Sequence, residues 1–189
     1  MNPLSKFKAW FRLAKKEYPF DHTAFNLSTS INNKPYSRMV LLKKILPDGF
    51  IFFTNLNSNK GKQFKSNSNL SMCFYWDNLK KQIRIVGKGK ICLEKESDEY
   101  FSSRLRGSQI GAWASKQSSL IKNRAFLIKK YKDYEKKFKN IPISRPAYWV
   151  GIKITPIAYE FWEEGEFRLH KREYFYLKKN EWFRKILSP

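Results

Sequence analysis

The chain has 189 residues, with 38 Lys or Arg against 16 Asp or Glu and a formal charge of +22. Hydrophobic residues make up 42% and aromatics 17%, which supports a packed core and excludes a disordered polyelectrolyte. No apolar run approaches the ~20 residues of a membrane-spanning helix, and Lys6, Lys8, Arg12, Lys15 and Lys16 interrupt every apolar cluster near the start, so a soluble, cytoplasmic protein without a signal peptide is expected.

Asn2-Pro3 is a helix start, a capping side chain followed by proline at the first helical position. Leu4, Phe7, Phe11 and Ala14 then recur at helical spacing, which predicts an amphipathic helix over residues 3–17. Strands are expected over Ala24–Ser30, Arg38–Leu46, Gly49–Asn55, Leu70–Trp76 and Gln82–Cys92, with turn signals at Asn32-Asn33-Lys34 and Pro47-Asp48-Gly49. Asn59–Ser66 suits a helical crossover. Helices follow over Glu94–Leu105 and Leu120–Phe138, the second with a buried stripe of Leu120, Leu127, Tyr131, Tyr134 and Phe138. Strands over Trp149–Ile154, Ala158–Trp162 and Arg172–Leu177 close the chain, the last pairing with Glu181–Leu187 across Lys178-Lys179-Asn180. This order is not the alternation of a parallel doubly wound sheet. It predicts a mainly β, α+β fold: one domain over residues 1–189, a small antiparallel barrel (strands over 24–92 and 149–187) with helices (3–17 and 94–139) packed around it.

The chemistry is narrowed by what is scarce. Cys73 and Cys92 form no CxxC pair and the only histidines are His22 and His170, so no metal site is expected and the cysteines read as small apolar residues in strands. There is no GxGxxG or GxxxxGK[ST] string; Gly87-Lys88-Gly89-Lys90 lies inside a strand pattern. No nucleophile motif accompanies either histidine. Glu160, Glu163, Glu164 and Glu166 crowd near one strand end, but nothing singles out a glycosidase pair. Lysines are scattered, and the densest stretch, Lys122 to Lys139, decorates the outside of a helix, which is most often a solvated face.

Cations and hydroxyls do gather at strand ends. Arg38 and Lys43 flank Met39–Leu42, and their spacing of five puts them on opposite faces of a strand unless a bulge intervenes. Thr54, Ser58 and Lys60 precede or open a helix whose amides suit an anion. Tyr100, Arg104 and Ser108 make a second possible phosphate cradle, followed by Gln117-Ser118, and Arg168, His170 and Arg172 come after Phe161-Trp162. Any one of these suits plain solvated charge; together they suit two phosphorylated ligands.

Several strings resemble the pyridoxamine (pyridoxine) 5'-phosphate oxidase family: Arg38-Met39-Val40-Leu41-Leu42-Lys43, Phe53-Thr54-Asn55, Ser108-Gln109-Ile110-Gly111-Ala112-Trp113, Ser115-Lys116-Gln117-Ser118-Ser119, and Glu160-Phe161-Trp162 through Arg168-Leu169-His170. The resemblance runs from about Asn2 to Leu187-Ser188-Pro189. It implies an FMN-binding split β-barrel, a homodimer with FMN at the subunit interface, and oxidation of pyridoxamine or pyridoxine 5'-phosphate to pyridoxal 5'-phosphate, with oxygen reduced to hydrogen peroxide. The cofactor contacts it implies are Arg38, Met39, Val40, Leu41, Leu42, Lys43, Phe53, Thr54, Ser58, Asn59, Lys60, Gln82, Gln117, Ser118, Trp162 and Arg172. The substrate contacts it implies are Lys43, Tyr100, Arg104, Ser108, Arg168 and His170, with Arg168 and His170 as the catalytic pair.

Two positions and one missing segment depart from the family pattern. Asn59 stands where arginine usually precedes the lysine, which removes one phosphate cation, and Phe53 stands where tyrosine is common. The chain starts at its first helix, so the arm that reaches toward substrate in longer members is expected to be missing; Lys15-Lys16-Glu17-Tyr18 looks like part of it but falls at the helix end. Two other functions compete. One is a flavin-binding barrel without efficient oxidase activity, against which the intact Arg168, His170, Tyr100, Arg104 and Ser108 count. The other is a basic nucleic-acid-binding protein, which requires salt-sensitive affinity and no chromophore.

Overall fold

A computed structural model describes residues 2–189. Helix α1 spans Pro3–Glu17, as expected, with the Asn2 carboxamide oxygen accepting the Leu4 amide at 2.9 Å and Pro3, Leu4, Phe7 and Ala14 on the buried side. Strands β1 (Ala24–Ile31) and β2 (Lys34–Leu41) form a hairpin whose turn residues Asn32 and Asn33 have φ of 50° and 59°. Asparagine tolerates that left-handed geometry, and the turn matches the strand twist.

The strand expected over Arg38–Leu46 is instead two. It breaks at Leu42 and Lys43, and β3 is the short Lys44–Leu46. The Leu42 amide donates to the Thr23 carbonyl at 2.8 Å and the Lys43 amide to Ile51 at 2.9 Å, while the Leu42 side chain is buried, so its apolar side chain and both amides are satisfied by leaving the ladder. Strand β4 (Gly49–Asn55) is buried almost throughout and lacks alternation, as a strand covered on both faces should. Helix α2 occupies Asn59–Ser66, followed by β5 (Asn69–Trp76) and β6 (Lys81–Ile91).

The helical region differs from expectation. Helix α3 stops at Ser102 (Glu94–Ser102), and a further helix α4 covers Arg106–Ala114. Gly107, Ser108 and Gly111 give α4 poor intrinsic propensity; burial of Gln109, Ile110 and Ala114 supplies what propensity does not. Helix α5 is Arg124–Lys137, started by the Asn123 side chain accepting the Phe126 amide at 2.9 Å. Leu120 therefore lies outside the helix and is fully exposed, which corrects its place in the buried stripe; Leu127, Tyr131 and Tyr134 are half-buried and Phe138 is buried. The two strands expected over 149–162 are one, β7 (Trp149–Glu163), which runs through Pro156 without stopping. Strands β8 (Lys171–Lys178) and β9 (Glu181–Leu187) form the expected terminal hairpin.

The sheet order is β2-β1-β5-β6-β7-β4-β3, with β8 on β7 and β9 on β8, and the β1–β2, β1–β5, β3–β4, β5–β6, β7–β8 and β8–β9 pairs are antiparallel. The described chain divides into two compact units. The first comprises the chain to Phe52 with Asn67–Lys90 and Lys153–Pro189, the second Phe53–Ser66 with Ile91–Ile152. Phe7 centres the first core, edge-on to Phe50 at 4.7 Å and to Phe74 at 5.5 Å. Phe101, Ile110, Phe138, Ile143 and Trp149 form the second. Cys73, half-buried in β5, and buried Cys92 are not joined in a disulfide, and burial pushes the Cys73 thiol pKa up. No helix of the described residues is long and apolar enough to cross a membrane.

Candidate functional site

The second unit collects two groups suited to anions. One begins at the end of β4. The Thr54 hydroxyl oxygen is buried without a hydrogen-bond partner. Fully buried Ser58 caps α2: its Oγ donates to the Asn55 carbonyl at 2.6 Å and accepts the Gly61 amide at 3.3 Å. Lys60 places Nζ 3.4 Å from the same oxygen, and exposed Asn59 opens the helix. Gly61 is obligatory here, because a Cβ would fall 2.5 Å from the Leu56 carbonyl carbon and oxygen. An eight-residue helix with its amide end beside a lysine and a buried hydroxyl favours negative charge.

The other group lies where α3 gives way to α4. Arg104, in the link, and Ser108, in the first turn of α4, line a cavity of about 340 Å³ with Asn55, Gly111, Ala112, Ser115, Gln117 and Trp149. The Arg104 Nη1 atom is buried and unpartnered. Burial lowers the Arg104 pKa from its ordinary value, with nearby Tyr100 acting in the opposite direction. Ser118, beside Gln117, is exposed and left-handed, with φ of 68°.

In the first unit, Trp162 pairs with Arg172 across β7 and β8, and the His170 ring lies 4.7 Å from Trp162. The Gly165 amide donates to His170 Nδ1 at 3.3 Å, an arrangement that suits the tautomer with its proton on Nε2. Arg168 is exposed on a tight turn in which it and Phe167 take φ of 65° and 51°. Such backbone strain in non-glycine residues gathers at functional sites. Arg38, half-buried on β2, donates from Nη1 to Thr29 Oγ1 at 2.7 Å and to the Leu27 carbonyl at 3.1 Å, and burial lowers its pKa. Met39 and Leu41 are exposed, Val40 and Gln82 half-buried, and Lys43 is exposed between β2 and β3.

Three of the four carboxylates crowded near the end of β7, Glu160, Glu163 and Glu164, are paired with cations. Buried Glu160 accepts from Arg172 Nε at 3.0 Å and is also paired with Arg84. Glu163 bonds Lys81 at 2.6 Å and lies 3.5 Å from Lys171, and Lys81's hydrogen bond holds its carboxyl below the ordinary value. Glu164 pairs with Lys80 at 3.6 Å. Two residues that matter locally escaped the sequence reading as site residues. Glu160, which fixes Arg172, was one of four crowded glutamates, and Trp149, a cavity wall, read as a core strand residue. Arg84 and Arg172, basic residues within apolar strand patterns, are the signal that points to a carboxylate partner such as Glu160.

Comparison with known proteins gives a consistent result. A family model described as pyridoxamine 5'-phosphate oxidase matches residues 13–138, and one described as the pyridoxine 5'-phosphate oxidase C-terminal dimerisation region matches residues 149–189. The pyridoxine/pyridoxamine 5'-phosphate oxidase of Pelagibacter ubique is 45% identical, over all of this chain and 92% of its own length. That of Zymomonas mobilis is 41% identical, over all of this chain and 98% of its own length. The crystal structure of PhzG from Burkholderia lata 383 in complex with tetrahydrophenazine-1-carboxylic acid has the same α+β fold, with a TM-score of 0.93 at 27% identity, over all of this chain and 93% of that one. The chain therefore belongs to the pyridoxamine 5'-phosphate oxidase family.

Proposed function

We propose that this chain is an FMN-dependent oxidase that converts pyridoxamine 5'-phosphate or pyridoxine 5'-phosphate to pyridoxal 5'-phosphate, acting as a homodimer in the cytoplasm. The observation that carries the reading is the buried, unpartnered Arg104 Nη1 in a cavity shared with Ser108. A buried N–H of a guanidinium left without an acceptor costs on the order of 1–3 kcal/mol, and a phosphate oxygen removes that cost with a charge-assisted bond. Tyr100 and Lys43 complete the proposed substrate-phosphate contacts. The flavin phosphate is assigned to Ser58, Asn59 and Lys60 at the head of α2, where the orphaned Thr54 hydroxyl fits an additional acceptor or donor, and the family resemblance adds Arg38 of β2. The backbone from Met39 to Leu42, with Phe53, Gln82, Gln117, Ser118, Trp162 and Arg172, is assigned to the rest of the cofactor.

FMN, when bound, would supply a two-electron acceptor that molecular oxygen regenerates, with hydrogen peroxide as by-product; for the amine, water supplies the aldehyde oxygen and the nitrogen leaves as ammonia. The protein's part is positional. Arg168 offers fixed positive charge, and His170 an Nε2–H donor set by Gly165 and Trp162, so the pair orients the substrate ring and steadies charge as hydride departs. The homodimer is supported by the match of residues 149–189 to a dimerisation region and by β2, an edge strand that exposes Tyr36, Met39 and Leu41. Because β4, β6 and β7 each run from one compact unit into the other, the whole chain is read as one functional domain.

Flavin-loaded protein given pyridoxine 5'-phosphate in air should form pyridoxal 5'-phosphate with equal amounts of oxygen consumed and peroxide released. Aldehyde formed without oxygen uptake, or no aldehyde at all, contradicts the reading.

A further inference from the structure

Arg104 has a long, rotatable side chain, and among the described residues no carboxylate pairs with it. Its aim is set by packing. The guanidinium carbon lies 4.7 Å from the ring centroid of Trp149 and 5.6 Å from that of Phe101. Trp149 opens β7, is 8% exposed, and forms part of the same cavity wall as Arg104 and Ser108. Its ring is nearly parallel to Phe53 (5.2 Å, 8°) and to Tyr100 (6.1 Å, 6°), and Phe53 stacks on Tyr100 at 4.0 Å. The indole face therefore bears on both proposed phosphate ligands, on Arg104 through a cation–π contact and on Tyr100 through parallel ring packing. Tryptophan gives the strongest cation–π seat of the aromatic side chains, and a guanidinium lying on a ring keeps its N–H edge free for an oxyanion.

We infer that Trp149 is a positioning residue for the phosphate site, seating Arg104 and thereby setting the preference for phosphorylated over unphosphorylated substrate. The inference rests on the reading of this cavity as the substrate-phosphate site. It goes beyond that reading by giving a role to a residue outside the ligand set.

The test compares flavin-loaded wild-type protein with Trp149→Phe and Trp149→Leu. Binding of inorganic phosphate is measured by calorimetry, and kcat/KM is measured separately for pyridoxine 5'-phosphate and pyridoxine. Trp149→Leu should weaken phosphate binding about fivefold and lower the phosphorylated-to-unphosphorylated ratio by a similar factor through KM, while Trp149→Phe, which keeps a ring face, recovers part of both. Flavin content should not change. Phosphate affinity that is unchanged in both variants, absent already in the wild type, or lost equally in both without rescue by phenylalanine overturns the inference. The phenylalanine variant keeps the comparison usable if leucine unfolds the protein. Phosphate affinity that follows the indole, with no oxidation of pyridoxine 5'-phosphate by any form, would support the seat while refuting the proposed reaction.

Discussion

Asn59 opens α2 between the Ser58 cap and Lys60, at the helix end proposed for the flavin phosphate. Arginine there adds a charge-assisted bond, diminished by the exposure of the position, so Asn59→Arg should tighten FMN binding about tenfold, read by fluorescence titration of apoprotein. An unchanged dissociation constant would remove Asn59 from the phosphate site. Among the described residues Arg168 has no hydrogen-bond or ion-pair partner for its guanidinium, and its turn holds it at φ 65°. Its charge is thus available to a ligand, whereas Arg172 is held by Glu160 and donates to the Ser188 carbonyl at 2.7 Å. Arg168→Leu should lower kcat about a hundredfold while flavin content stays near wild type; flavin loss in proportion to activity would place Arg168 with the cofactor instead.

At the scale of elements, α1, β4 and α2 lie where local chemistry puts them: a proline after a capping asparagine, a glycine after Pro47-Asp48, a serine cap before Asn59. The misses are places where tertiary contacts outweigh local preference. Helix α4 forms despite Gly107 and Gly111 because Gln109, Ile110 and Ala114 are buried and the Gln109 side-chain amide donates to the Phe101 carbonyl at 2.9 Å. The break at Leu42–Lys43 is enforced by partners at Thr23 and Ile51, which no local pattern reveals. The candidate site was legible through its polar residues, Arg104, Ser108, Ser58 and Lys60 among them, while Trp149 was hidden because an aromatic in a strand reads as core. Gly61 is an element-level constraint: Gly61→Ala must push the head of α2 away from Leu56, so it should cost about 1–3 kcal/mol in thermal unfolding and weaken FMN retention together. Unaltered stability would mean that α2 shifts freely and is a poor anchor for an anion.

For the whole molecule, +22 charges make each acidic group a local counterweight. Glu163 is held below its ordinary value of 4.5, chiefly by the Lys81 hydrogen bond, and Asp21 below 3.8, chiefly by Thr23. A depressed carboxyl gives stability that is complete above its unfolded pKa and is lost as pH falls through the folded one. The melting temperature should therefore drop between about pH 5 and about pH 3, and Lys81→Met should flatten that drop; an unaltered profile would show that the pair contributes nothing. The most direct measurement is the visible spectrum of the FMN-loaded protein without oxygen, before and after pyridoxine 5'-phosphate. The flavin bands should bleach on addition of substrate and return when air is admitted. Bands that remain oxidised beside bound substrate would contradict the oxidase and leave a flavin-binding protein in its place.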